Sequence, residues 1–219
     1  MVSLSRVQSK DYPPETRGQT MILDLCSGLG GASQAFVDAG DEVVMVDVER
    51  ALRPTILADA AHLPIKTNLK PELILFCPPC QCFSVANISR HWDRGKPKTE
   101  KCEKAIKLVK DGLKEIQRLS PHYWVMENPM GMLRTIVGKP PNTIRMTDYG
   151  GETKKPTDLW GNVPFRMLSA LKPWPKSPRG ARNTPHNRWY RRHQGESSWS
   201  RAKWPYGLSQ AVREATIST

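Results

Sequence analysis

Met21-Ile-Leu-Asp-Leu25 is apolar except for one aspartate, and it runs straight into the turn Cys26-Ser-Gly-Leu-Gly-Gly-Ala-Ser33. A short run of this kind fits a strand buried on both faces, and the glycines after it permit a tight reversal. Residues 32–40 then read as a helix closed by Gly40. Residues 42–48 read as a second, β-branched strand, 55–60 as a short third and 72–76 as a fourth. Between Thr99 and Leu119 the positions Ala105, Ile106, Leu108, Val109, Leu113 and Ile116 recur at helical spacing, and residues 122–129 read as a fifth strand. Strands alternating with helices constrain the chain to an α/β fold with a mostly parallel, doubly wound sheet. Beyond Gly131 the pattern predicts strands over 142–150 and 157–163, joined by the polar turn 151–156. A last helix is expected from Ser209 toward Ala215.

Charge narrows the class of partner. The 219 residues carry 33 basic and 21 acidic side chains, a net charge of +12, which suits a polyanion, nucleic acid before membrane. Between Phe165 and Tyr206 ten basic residues stand against one acid, Glu196, amid several prolines and tryptophans. No stretch approaches the roughly 20 apolar residues of a membrane span. Residues 1–20 lack the apolar core of a secretory signal and read as a leader. Five cysteines without such a signal suggest reduced thiols in a cytoplasmic setting.

Gly28, Gly30 and Gly31 let the backbone approach a ligand at the carboxyl ends of the strands. The spacing departs from G-x-G-x-x-G, which argues against a dinucleotide. Asp47, ending the second strand, is placed to accept from ribose hydroxyls, and Asp59, past the third, to meet an adenine amino group. Together they point to a nucleoside.

Cys77-Pro-Pro-Cys80-Gln-Cys82 follows the fourth strand. A redox pair would fit C-x-x-C, but a glycine-rich ligand turn two strands earlier is foreign to a thioredoxin-like unit. A structural zinc site wants four ligands, and there is no second C-x-x-C or suitably spaced histidine pair. The third reading is a nucleophilic thiolate. The residues alone leave all three open.

The order "DLCSGLGG", "PPCQCFS", "ENP" resembles the cytosine-C5 DNA methyltransferases, and "DYG" with "KKPTDLWGN" resembles their small phage and prophage members. The resemblance runs from about Met21 to Ala215. It implies a Rossmann-like S-adenosylmethionine-dependent methyltransferase fold, with a catalytic core over 21–164, a basic target-recognition segment over 165–206 and a returning helix over 207–219. It implies Cys80 as the nucleophile on cytosine C6, Glu127 as the acid at N3, and Asn128 as a holder of local backbone. S-adenosylmethionine would contact Asp24, Cys26, Gly28, Leu29, Gly30, Gly31, Asp47, Val48, Asp59, Ala60 and Pro78. Double-stranded DNA would meet Gln81, Ser84, Arg90, Arg94, Lys96, Lys155, Thr157, Arg182, Arg188, Arg191 and Arg192, with residues 84–101 as a mobile loop closing over a flipped base. Cys77 and Cys82 would serve packing. No metal and no membrane contact are implied, and the enzyme would act as a monomer on DNA, in the manner of restriction-modification or phage enzymes.

Three departures stand out. Cys26 replaces the family's usual phenylalanine. Lys155 and Thr157 fall where Gln-x-Arg-x-Arg supplies arginines, and "GLSQAV" replaces Gly-Asn-Ser-Val, where it can cap the last helix. An RNA cytosine-C5 methyltransferase and a non-catalytic DNA-binding module retaining the fold are the alternatives. The common RNA enzymes place their nucleophile where this chain has "ENP", without a cysteine. Exocyclic-amino methyltransferases want Asp/Asn-Pro-Pro-aromatic, which "CPPC" does not supply.

Overall fold

The computed structural model describes residues 21–65, 70–151, 156–166 and 204–217. The strands are β1 (Met21–Leu25), β2 (Glu42–Asp47), β3 (Ile56–Leu57), β4 (Leu73–Phe76), β5 (Trp92–Asp93), β6 (Lys96–Pro97), β7 (Tyr123–Pro129), β8 (Asn142–Arg145) and β9 (Pro156–Gly161). The helices are α1 (Gln34–Ala39), α2 (Ile88–His91), α3 (Glu100–Leu119), α4 (Arg134–Val137) and α5 (Tyr206–Ile217).

Seven strands form one sheet in the order β3-β2-β1-β4-β7-β9-β8. β3, β2, β1, β4 and β7 run parallel, and β9 is antiparallel to both β7 and β8. The order reverses between β1 and β4, where an open parallel sheet leaves a crevice at its carboxyl edge. The fold is thus the doubly wound α/β arrangement expected, with one antiparallel strand inserted near an edge.

Side-chain alternation produces two apolar layers. Leu23, Leu25, Ile74, Phe76 and Met126 point to one face and pack with Cys102, Ile106, Val109, Ile116 and Leu119 around α3. Ile22, Leu73, Leu75 and Val125 point to the other and pack with Phe36 of α1 and Leu208, Ala211, Val212 and Ala215 of α5. β4 is buried along its whole length, so the sheet's centre contributes to both layers.

Several boundaries differ from the sequence reading. β3 shrinks to two residues, as befits a short edge strand. The strand expected over 142–150 stops at Arg145, and Met146–Tyr149 coil into a 3-10 turn that Gly150 ends at φ +82°. Residues 84–101 are folded: a 3-10 turn (Val85–Asn87), α2, and the hairpin β5–β6 closed by Arg94 and Gly95 at φ +45° and +79°. The buried Trp92 indole anchors this unit by donating to the Cys82 carbonyl at 2.6 Å. α5 starts at Tyr206, three residues earlier than expected, so Ser209 is not its cap but a buried residue inside it. The leader over 1–20, and most of the basic segment with Lys155, Arg182, Arg188, Arg191 and Arg192, lie outside the described residues. Among the described residues no helix is long and apolar enough to cross a membrane.

Ser209 and Ser33 have exchanged local duties. Ser33 occupies the N-cap of α1, yet its hydroxyl donates to Asp24 Oδ2 at 2.6 Å and makes no cap bond. The orphan Ala35 N–H donates instead to Ser209 Oγ at 3.0 Å, and that hydroxyl donates to the Ala32 carbonyl at 2.6 Å. One serine from the end of the chain therefore caps a helix near its start. Ser209→Ala is expected to lower stability by about 1–2 kcal/mol, read as a reduced denaturation midpoint at unchanged slope in urea unfolding.

Candidate active site

Three adjacent parallel strands deliver the predicted chemistry to one edge. β1 ends on the glycine turn, β4 runs into Cys77-Pro-Pro-Cys80, and β7 carries Glu127 and Asn128 into Pro129. The turn is held by Asp47 at the end of β2: its Oδ2 accepts from the Gly28 N–H and its Oδ1 from the Glu49 N–H, both at 2.9 Å. Gly28 and Gly30 sit at φ +53° and +69°, and Cys26 takes the same left-handed region at +55° without being glycine. A Cβ on Gly28 would meet nothing closer than the Cys26 carbonyl at 3.9 Å, so open space lies above the turn.

Asp24 lies at the bottom of this turn, fully buried. Its Oδ2 is bonded to Ser33, but Oδ1 has no partner among the described residues. An orphaned buried carboxylate oxygen is costly, which is the expected signature of an acceptor kept for a ligand. Burial pushes the Asp24 carboxyl up to about 7, with the Ser33 hydrogen bond opposing and the Asp47 charge reinforcing it. Burial, then the charges of Asp47, Asp24 and Asp59, drive the Cys26 thiol far above its ordinary range, so it stays a neutral packing group. That these three carboxylates act on one thiol places them around a common point. Asp59 accepts from the Ala61 N–H at 2.9 Å and is half exposed, while Ala60 beneath it is buried. Val48, 69% exposed, offers an apolar surface directly after Asp47. Leu29 is half-buried and Gly31 buried within the turn. A glycine cradle, carboxylates and an exposed apolar flank fit a nucleoside bearing positive charge, the chemistry of S-adenosylmethionine.

Cys80 is half-buried, and its carbonyl accepts from the Phe83 and Ser84 N–H groups at 3.0 Å each, which winds the chain into a turn beside it. Pro78 is buried and Pro79 exposed. The Asn128 side-chain amide donates to the Pro78 carbonyl at 3.0 Å, fastening the cysteine loop to β7. Asn128 Oδ1 is left without a partner among the described residues. A second tie joins the loops: the Met132 N–H donates to the Phe83 carbonyl at 2.8 Å, and Ser84 bridges to Gly131. A Cβ on Gly131 would lie 2.1 Å from the Phe83 carbonyl oxygen, so only glycine allows this approach. None of the five cysteines forms a disulfide. Burial and the neighbouring Glu127 and Asp24 charges push the Cys77 thiol well up. Cys82 and Cys102 are buried and hydrogen-bonded to each other, and burial also raises both, Cys102 to about 11.

Glu127 is buried, 7% exposed, and its Oε2 accepts from the Trp204 indole N–H at 3.3 Å. Gln81, Arg90, Arg94 and Lys96 are exposed and Ser84 is half-buried, on the loop and hairpin that follow Cys80. Thr157 does not join them: it is 1% exposed inside β9, in register with Pro129 and Ile144, so it offers no surface to nucleic acid. Beside it, Asp158 is buried and held by Arg134 through two 2.6 Å hydrogen bonds, with Thr143 donating to the same carboxylate. Among the described residues no group of three or more His, Cys, Asp or Glu is placed to hold a metal.

Sequence reasoning missed Ser33, Ser209 and Trp204 as site residues. Ser209 had a legible mark, a lone hydroxyl on the apolar face made by Leu208, Ala211, Val212 and Ala215. Trp204 had none, since its partner lies 77 residues away.

Comparison with known proteins identifies the family. The family model for C-5 cytosine-specific DNA methylase matches residues 20–146, more than half of the chain. No curated protein matches. Among solved structures, a DNA modification methyltransferase encoded within an E. coli prophage is similar at 18% identity and a TM-score of 0.45, over 64% of this chain and 45% of that one. The match therefore spans less than half of that protein's length.

The raised Asp24 carboxyl has a measurable consequence. In the folded protein it titrates at about 7, against 3.8 for the unperturbed group. Between those values the folded state holds a proton that the unfolded chain has lost, so this group's contribution to stability falls as pH rises. Asp24→Asn cannot ionise. The variant's melting temperature minus that of wild type is expected to become more positive between about pH 5 and about pH 8, measured by thermal melts without ligand.

Proposed function

The chain belongs to the C-5 cytosine-specific DNA methylase family, and on that premise we propose that it transfers a methyl group from S-adenosylmethionine to C5 of a cytosine flipped out of duplex DNA, through a covalent adduct on Cys80. The observation that carries this reading is the joint placement of Cys80 after β4 and Glu127 on β7. These are neighbouring strands locked by the Asn128–Pro78 hydrogen bond, beside the glycine turn of β1.

The Cys80 thiolate attacks C6, and the C5–C6 π electrons move toward the ring nitrogen. Glu127 supplies the proton that N3 takes up, so negative charge does not accumulate on the base. C5 becomes an enamine-like nucleophile. The donor, when bound, supplies a methyl group on a sulfonium, which C5 can take with the electrons of that S–C bond passing to sulfur. Loss of the C5 proton to a base then restores the C5–C6 double bond and expels Cys80. Burial of Glu127 keeps water from competing for its proton.

Asp24 Oδ1 would accept from the ammonium of the donor's amino-acid portion. Asp47 and Asp59 would address the ribose and adenine, and Val48 would lie against the adenine face. Gln81, Ser84, Arg90, Arg94 and Lys96, all after the nucleophile, would hold DNA around the extruded base, most of their charge serving phosphates. The chain would act as a monomer on the duplex.

Mass spectrometry of nucleosides after incubation with S-adenosylmethionine and unmethylated duplex DNA is expected to show 5-methylcytosine. Cys80→Ser should reduce it by roughly 10³-fold or more. N4-methylcytosine or N6-methyladenine as product would sink the covalent mechanism. Product on RNA alone would move the reading to an RNA cytosine methyltransferase. A Cys80→Ser variant that still methylates at the wild-type rate would remove Cys80 from the chemistry.

A further inference from the structure

Trp204 belongs by sequence to the end of the basic segment, yet it is 2% exposed and packed in the apolar layer that holds Leu208 and Tyr149. Its indole N–H donates to Glu127 Oε2 at 3.3 Å and also reaches the Cys77 thiol. Two properties of an indole matter here. It donates and never accepts, and it does not ionise at any working pH. An oxygen that receives this bond is engaged by a donor whatever the pH, which restrains the rotation of the carboxyl group.

We propose that Trp204 is a positioning residue for Glu127: its indole N–H holds Oε2 and so fixes the rotation of the carboxyl group toward the base. The inference rests on the methyl-transfer reading above and adds a residue to it. Packing makes the device rigid. The ring is clamped by the α5 layer, and Pro205 follows immediately, so the donor's direction is set before substrate arrives. The immediate surroundings of Glu127 suit the role. Cys77 stays a neutral thiol, so the carboxyl group meets a donor and an uncharged neighbour on this side. Asn128, the next residue, is committed to Pro78 and holds the strand end still.

Two measurements test it. Trp204→Phe keeps an aromatic ring and removes the N–H. It is expected to lower kcat for 5-methylcytosine formation roughly 10- to 100-fold while the KM values for duplex DNA and S-adenosylmethionine stay unchanged. A purely packing role would move thermal stability and both KM values with kcat, and that pattern, or an unchanged kcat, overturns the proposal. The second measurement does not depend on the Phe variant folding. In protein labelled with 15N-tryptophan, Glu127→Gln should move the assigned Trp204 indole proton, because an amide oxygen and a carboxyl oxygen differ as acceptors. A stationary resonance overturns the contact. Wild-type protein that forms no methylated cytosine would instead defeat the methyl-transfer reading, and the positioning role with it. Active wild-type protein with an unaffected Trp204→Phe defeats the positioning role alone.

Discussion

One buried hydrogen bond, from the Asn128 side-chain amide to the Pro78 carbonyl, sets the relation between the two strand ends on which the proposed chemistry depends. Pro78 has no N–H of its own, and its carbonyl sits just beyond a strand, where ladder partners run out. Asn128 supplies the missing donor from the adjacent strand. The cysteine loop and the Glu127 strand end therefore move as one body. The contacts around Gly131 repeat the same tie one loop further out, where the Phe83 carbonyl approaches too closely for any side chain. Hydrogen bonds to the backbone on either side of Cys80 hold the loop that carries it.

The electrostatics of the edge divide its thiols by surroundings. Cys26 and Cys77 face carboxylates in half-buried positions and are held neutral, while Cys82 and Cys102 satisfy each other inside the α3 layer. Asp24 shows the cost of the opposite arrangement. A carboxylate with one oxygen unpaired in the interior is unstable as an anion, and so the folded chain prefers it protonated near neutrality. A cationic ligand reverses that preference, since an opposite charge at Oδ1 restores the anion. The glycine turn is thereby tuned toward positively charged partners by burial itself.

Much of this was legible because it is local. The alternation in β1, β2, β4 and β7 and the helical spacing in α3 are short-range patterns, and they fix which strand ends carry Asp24, Asp47, Cys80 and Glu127. Pairing between distant segments was not legible. Nothing in residues 157–161 says that they run antiparallel between β7 and β8, and Thr157 consequently disappears into the sheet instead of facing nucleic acid. The loop after Cys80 carried a signal that went unused. Arg94-Gly95 between short extended pieces is hairpin chemistry, and Trp92 is too apolar to be left on a mobile loop. Thr147 and Asp148 favour turns over strands, which together with Gly150 accounts for the 3-10 end of β8.

The last helix shows why the site cannot be divided cleanly into a core and an appendage. α5 contributes Ser209, which caps α1 beside the glycine turn, and the chain entering it contributes Trp204, which reaches Glu127. Arg213 adds an ion pair to Asp41 at the far end of α1. These contacts span 77 to 174 residues of sequence, so none can form until the end of the chain has docked on the sheet. The glycine turn and the Glu127 strand are then locked by the same element. A chain whose first 128 residues hold every predicted catalytic group still needs its final turns to orient them. Any change that loosens α5 should therefore disturb the glycine turn and Glu127 together, even though the two lie on different strands.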